Sequence, residues 1–379
     1  MKTKLLLFTM MAFTTLAMAQ KQKGKTYNLV VGTYTNESKT NGIHVYSFDT
    51  GTGDFAEKAT ALSINNPSFI VVSADKKNLY AVSEGGQGKG ISAFSFDAST
   101  GDLNFLNSTS AGGNGPCYIN VDDQKRTVFT GNYGGGSLSA TKVNADGSLS
   151  DDIQVIQHEG SSVNKSRQDK PHVHAVVLSP DSRYLMVPDL GTDKVNIYRY
   201  DPAASKPLSP GPQPFVSVNP GGGPRHFTFH PNGKYAYLVL EIEGAVVAFD
   251  YKEGKLDPKQ TITMLSPEFK GRVGAADIHV ASDGKFLYAS NRGDANEIVI
   301  YSIDKSGKLT YAGRQSSQIN TPRNFAIDPS GNFLLVGNQN GNDIAIFKRD
   351  KKTGLLTDSG KRINVDKPVC LKFVEIGSE

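Results

Sequence analysis

The sequence predicts an all-β fold, a seven-bladed β-propeller, on three observations. A short strand and a second strand ending in a polar residue recur together at a period of about 50 residues, in the range of propeller blades. Apolar and polar residues alternate within the copies, and helical periodicity is nearly absent. Each end of the chain holds a fragment of the same pattern, and the two fragments complete one another.

Residues 1–19 read as an export signal. Lys2 and Lys4 form a basic start, 5–16 an apolar run, and Ala17-Met18-Ala19 a small-residue cleavage site before Gln20. The run is short for a bilayer span, no cysteine follows the cut to carry a lipid, and no later stretch is apolar enough to span. The expected location is outside the cytoplasm, in the periplasm of a two-membrane cell. The propeller is expected over 27–376. Its N-terminal segment LVVGTYTNESKTNGIHVYSFD (29–49) has second and third strands without a first. The C-terminal KPVCLKFVE (367–375) is a first strand with nothing after it, so pairing the two closes the ring.

Between these ends lie six full copies. They open with NPSFIVVSADKKNLYAVSE (66–84), GPCYINVDDQKRTVFTGNY (115–133), HVHAVVLSPDSRYLMVPDL (172–190), GPRHFTFHPNGKYAYLVLE (223–241), AADIHVASDGKFLYASNR (275–292) and TPRNFAIDPSGNFLLVGNQ (321–339). Turns such as Asn232-Gly233 and Asp283-Gly284 supply the positive-φ residues of tight hairpins. Third strands alternate in GISAFSFD (90–97), KVNIYRYD (194–201) and EIVIYSID (297–304), and Gly-Xaa-Leu segments start a fourth. The stretches 158–170 and 202–220 are excursions between copies.

Bulk properties exclude several classes. The net charge of +4 falls to +2 without Lys2 and Lys4, which is no electrostatic footprint for nucleic acid. Cys117 and Cys370 are the only cysteines; one copy intervenes between theirs, so two buried free thiols are expected. The chain has no tryptophan, against a quinone-dependent or WD-type propeller. The expected partner is a small molecule, and the expected assembly a monomer or weak dimer.

Function is sought where the copies disagree. Aligned on their turns, the start of the first strand holds Ser68, Cys117, His174, Arg225, Ala276, Arg323 and Val369, followed by Phe69, Tyr118, Ala175, His226, Asp277, Asn324 and Cys370. The second strand returns antiparallel, so its last position joins the same mouth: Tyr34, Glu84, Tyr133, Leu190, Glu241, Arg292 and Gln339, preceded by residues that include Asn132 and Asn338. Imidazole, guanidinium and carboxylate groups concentrate in copies three to six. Convergent polar groups in a concave opening make the default site. His174, Arg225, Glu241 and Arg292 are the candidate catalytic residues, with His172, His226, Asp277, His279, Arg323, Asn338, Gln339, Asn132 and Tyr133 as candidate substrate contacts. His44, His158 and His230 read as structural or surface residues. Imidazoles at 172, 174, 226 and 279 suit a metal, but three arginines at the same mouth oppose a cation, so neither metal nor cofactor is expected.

The quoted repeats resemble the seven-bladed propeller lactonases, which include the cycloisomerase-type 6-phosphogluconolactonases and the fungal carboxymuconate-lactonizing enzymes. The resemblance runs over 27–376. It implies a lactone hydrolase whose mouth uses a His, two Arg and a Glu, matching His174, Arg225, Arg292 and Glu241 here. The leader departs from that picture, since a phosphorylated gluconolactone is intracellular. Hydrolysis by water, with His174 as base and the arginines on the oxyanion, fits these groups; Glu241 orients an arginine or shares the base role. The alternatives are a muconate-lactonizing cycloisomerase and a non-catalytic ligand-binding or interaction propeller.

Overall fold

Second strands such as Asn78–Val82 and Tyr184–Asp189 are buried along their whole length, so each sheet is covered on both faces and must pack against another. The computed structural model describes residues 24–36, 42–61, 64–85, 90–124 and 126–376, in which 28 strands form seven four-stranded antiparallel sheets, with no helix among them. The expected export signal at 1–19 lies outside the described residues.

Six blades are built from consecutive strands. Their inner strands are Ile70–Val72 (blade 1), Pro116–Val121 (blade 2), Val177–Leu178 (blade 3), Pro224–Phe229 (blade 4), Ala275–Val280 (blade 5) and Pro322–Ile327 (blade 6). Blade 7 is split: the C-terminal strand Pro368–Glu375 pairs antiparallel with Thr26–Thr33, followed outward by Ile43–Asp49 and Phe55–Ala61. The ring therefore closes as expected, with Val31 opposite Leu371 and Gly32 opposite Cys370.

The core is distributed between blades. Buried clusters join blade 3 to blade 4, blade 4 to blade 5, and blade 5 to blade 6. Tyrosines on second strands add polar stitches: Tyr80 donates to Gly147 O, Tyr237 to Gly307 O and Tyr288 to Gly354 O, each at 2.7–3.0 Å and each in the next blade. A buried tyrosine needs such a partner, and here it is supplied by a neighbouring outer hairpin. Both cysteines are buried and free.

The mouth is shaped by one repeated backbone device. The N–H of the residue after the second strand (Tyr34, Glu84, Tyr133, Leu190, Glu241, Arg292 and Gln339) donates to the carbonyl two residues before the variable position, at 2.7–3.1 Å. The accepting residue has positive φ at Gly115 and Gly223, and also at Asn66, Thr321 and Lys367. Register shifts follow at once in blades 2, 4, 5, 6 and 7, where an extra residue enters the inner strand at Cys117, within Arg225–His226, within Ala276–Asp277, at Arg323 and at Val369. A bulge breaks the alternation of side chains, so two consecutive residues face the channel, one at the mouth and one beneath it. In blade 3 the inner ladder is only two residues long; Pro188 opposite it has no N–H, and its carbonyl accepts from His174 N at 3.0 Å.

Candidate active site

Glu241 is the hub of the mouth. It follows the second strand of blade 4, and its carboxylate is buried. Oε2 accepts from Arg225 Nε at 2.7 Å and lies 3.1 Å from Arg292 Nη2 and 3.8 Å from His174 Nε2. Oε1 accepts from Arg167 Nη2 at 2.5 Å. Burial alone would raise this carboxyl, but the charges of Arg292 and then Arg225 hold it well below the usual range. It is an anion shared among three guanidinium groups, and correspondingly a poor proton acceptor.

His174 forms the adjacent wall. Burial, and then the charge of Arg225, pushes its pKa well below the ordinary histidine value, so it is neutral near pH 7. Its Nδ1 lies 3.6 Å from Cys117 Sγ, and that sulfur is 3.7 Å from Val173 O and 3.8 Å from the His174 carbonyl. Burial raises the thiol to about 12, so it stays protonated and donates to a carbonyl. The thiol thus engages Nδ1, and Nε2 is the ring nitrogen on the Glu241 side. Tyr133 packs edge-on to His174 at 5.1 Å and stacks on His172 at 4.5 Å. His172 is pinned by its own bonds, Nδ1 to Tyr133 O at 2.9 Å and N–H to Asp189 at 2.8 Å.

Arg167 is a member of the cluster that the repeat pattern does not point to. It stands in the 158–170 excursion, which has no counterpart in the other copies and so no register to compare. The excursion is tied down by Asp193, whose carboxylate accepts from Ser162 Oγ (2.5 Å), Gln168 Nε2 (2.8 Å), Gly221 N (2.7 Å) and Gly223 N (2.8 Å). One buried acid thus fixes both the loop carrying Arg167 and the start of the strand carrying Arg225.

An open cavity of about 850 Å³ lies over this cluster, lined by Arg167, Glu241, Arg272, Arg292, Arg323 and Gln339 among others. Arg323 packs over the Tyr34 ring at 5.3 Å, with Glu84 Oε2 3.7 Å away as the acid recorded beside it. Glu84 is itself held by Tyr34 Oη at 2.8 Å and by Ser68 Oγ. Two expected contacts turn elsewhere. Asn132 bonds Ala111 O and Ser137 Oγ, and Asn338 bonds Gln318 O and Asp343, within their own blades. Each precedes a residue that does face the mouth, and neighbours on a strand point to opposite sides.

His226, Asp277 and His279 lie below the mouth, where Phe69 and Tyr118 stack at 3.9 Å and both pack edge-on to His226. His226 Nδ1 bonds Asp277 Oδ1 at 2.7 Å, and Asp277 Oδ2 accepts from His279 Nε2 at 2.8 Å and from Asn324 Nδ2. Among the described residues no group of three or more His, Cys, Asp or Glu side chains is arranged to hold a metal ion. His158 is buried away from the mouth against Asp189 at 2.7 Å, and His230 bonds Gly284 O at a turn.

Residues 28–373 match the seven-bladed β-propeller lactonase family. The chain belongs to that family. It is 35% identical to a 6-phosphogluconolactonase of Bacillus subtilis (strain 168), over 91% of this chain and 97% of that one. It is 39% identical to a 6-phosphogluconolactonase of Formosa agariphila, over 86% of this chain and 94% of that one. Among solved structures, a periplasmic gluconolactonase of Pseudomonas aeruginosa superimposes with a TM-score of 0.87 at 37% identity, covering 93% of this chain and 100% of the other.

Proposed function

We propose that the protein is an exported lactone hydrolase that opens a gluconolactone-type sugar lactone with water, and that the mouth around Glu241 is its active site. The observation that carries this reading is the convergence of His174, Arg225, Arg292 and Arg167 on one buried carboxylate under an open cavity. Neutral His174 takes a proton from water through Nε2 as the oxygen attacks the lactone carbonyl. Arg225 and Arg292 receive the oxyanion. The ring C–O bond then breaks, His174 returns the proton to the departing oxygen, and a hydroxy acid leaves. Glu241 holds the guanidinium groups in place; both of its oxygens are engaged by them, which leaves His174 as the base. Arg323 and Gln339 line the cavity through which the sugar would enter, with His172 and Tyr133 packed beside His174.

A metal-independent mechanism is supported by the charge balance, because a divalent cation beside four guanidinium groups would meet net repulsion. Likeness to a periplasmic gluconolactonase, together with the leader at 1–19, favours export and an unphosphorylated substrate. Purified protein assayed on gluconolactone, 6-phosphogluconolactone and a muconolactone, with and without chelator, tests the reading. Turnover of gluconolactone in the presence of chelator is expected. Absence of turnover on every lactone would refute it.

A further inference from the structure

Two buried groups beneath the mouth, His226 and Asp277, are not used by the chemistry above, and they form a chain ending on Arg225. That guanidinium is 1% exposed. Its Nε donates to Glu241, and its Nη1 reaches both Ala276 O at 2.6 Å and His226 Nε2 at 3.2 Å. A guanidinium nitrogen only donates, so His226 Nε2 must accept, and the imidazole proton resides on Nδ1. Nδ1–H then donates to Asp277 Oδ1 at 2.7 Å. Asp277 is in turn saturated by His279 Nε2, the Asn324 amide and Phe325 N, which hold it ionised and fixed in orientation.

Glu241 meets the arginine directly through Nε, whereas Asp277 does not touch it. A carboxylate in direct contact would take two guanidinium donors in a fork and leave fewer for a substrate. Here a neutral imidazole is interposed. The negative charge of Asp277 still offsets the buried positive charge of Arg225, while the arginine gives up only one hydrogen to the imidazole. With Nε and Nη1 committed internally, Nη2 is the nitrogen left to receive an oxyanion.

We propose that Asp277 and His226 are positioning residues for Arg225: the carboxylate fixes the imidazole, and the imidazole fixes the plane of the guanidinium so that Nη2 points at the lactone carbonyl oxygen. This rests on the hydrolase reading above. It assigns His226 and Asp277 no contact with substrate, in contrast to their place among the substrate contacts expected from sequence. The bulge in blade 4 makes the device possible, because it turns both Arg225 and His226 into the channel.

The test compares His226→Phe, His226→Gln and Asp277→Asn with the parent protein, each checked for folding by its thermal transition. Glutamine can accept from Arg225 through its carbonyl and donate to Asp277 through its amide; phenylalanine keeps the ring but neither bond. The Phe variant is expected to lose about a hundredfold in kcat with KM changed by less than about threefold, because the misplaced group acts in the transition state. The Gln variant is expected to recover most of that loss. Parent-like kcat in the Phe variant, or equal impairment of two folded variants, would overturn the assignment. A second readout needs no activity. In ¹⁵N-histidine NMR spectra of the parent protein, the resonance missing from His226→Gln should be that of a neutral Nδ1–H tautomer at pH 6.5. An Nε2–H tautomer or an imidazolium there would overturn the proposal even in a protein that hydrolyses no lactone. A parent without lactone turnover but with the expected tautomer would sink the hydrolase reading and leave the hydrogen-bond chain standing.

Discussion

The two ends of each blade are built on equally regular backbone and carry very different side chains. At the hairpin end, the N–H groups of Ser73, Asp122, Ser179, His230, Ala281 and Asp328 donate to the carbonyl five residues on, at 2.7–3.1 Å. The side chains there repeat as well. Ser73 and Ser179 both bond an aspartate two residues later at 2.5 Å and both accept a backbone N–H at 3.0 Å. At the mouth end seven equivalent backbone bonds recur, yet the residue beside them is Ser68, Cys117 or Val369 on one side of the ring and His174, Arg225 or Arg323 on the other. Repetition at one end holds the ring together. At the other end it supplies a common frame on which a single asymmetric cluster is mounted.

This contrast is sharpest under substitution at the mouth. Arg225→Ala should lower kcat/KM for lactone hydrolysis by about a thousandfold, as loss of an oxyanion donor does. Steady-state kinetics check it, and near-parental turnover would remove Arg225 from the mechanism. The same cluster sets the acid limit of stability. Burial, then the charge of Arg225, holds His226 down at about 3. Between pH 6.5 and about 3 the unfolded chain therefore binds a proton that the folded chain refuses. Its contribution is fully present above pH 6.5 and falls as pH drops; His174 and Glu241, also depressed, act with the same sign. From pH 7.5 to pH 5.0 the loss from His226 alone is about 2 kcal/mol. A urea midpoint that stays level or rises at pH 5.0 would contradict this.

Smaller effects separate the two ends further. Arg167 is 42% exposed and bonds Glu241 from a loop, so Arg167→Ala should cost about tenfold in kcat/KM, the worth of one charge-assisted hydrogen bond, with little change in melting temperature. At the hairpin end Ser179→Ala should cost about 1 kcal/mol of stability and leave kcat/KM unchanged. A marked activity loss in the Ser179 variant would show that the two ends are coupled.

Much of this was legible in the sequence, for a physical reason. Repeats of one backbone unit make register readable, so alignment on the turns alone gathers His174, Arg225, Glu241 and Arg292 at one mouth. The split seventh blade was readable because each end lacked the strand that the other supplied. Strand alternation was the finer rule that comparison of copies overlooked: Asn132 and Asn338 sit one residue from Tyr133 and Gln339 and turn back into their blades. The bulges were invisible because they add no unusual residue, only an extra one, and they decide that Arg225 and His226 share the channel. Arg167 escaped because it belongs to no repeat.

Closure of the ring by Pro368–Glu375 against Thr26–Thr33 carries a consequence for folding. The strand that completes the circle follows the other six blades along the chain, so until it docks blade 7 lacks its innermost member and blades 6 and 1 have no neighbour to share. Closure of the ring is therefore a pairing of high sequence separation, slower to form than the local hairpins within each blade.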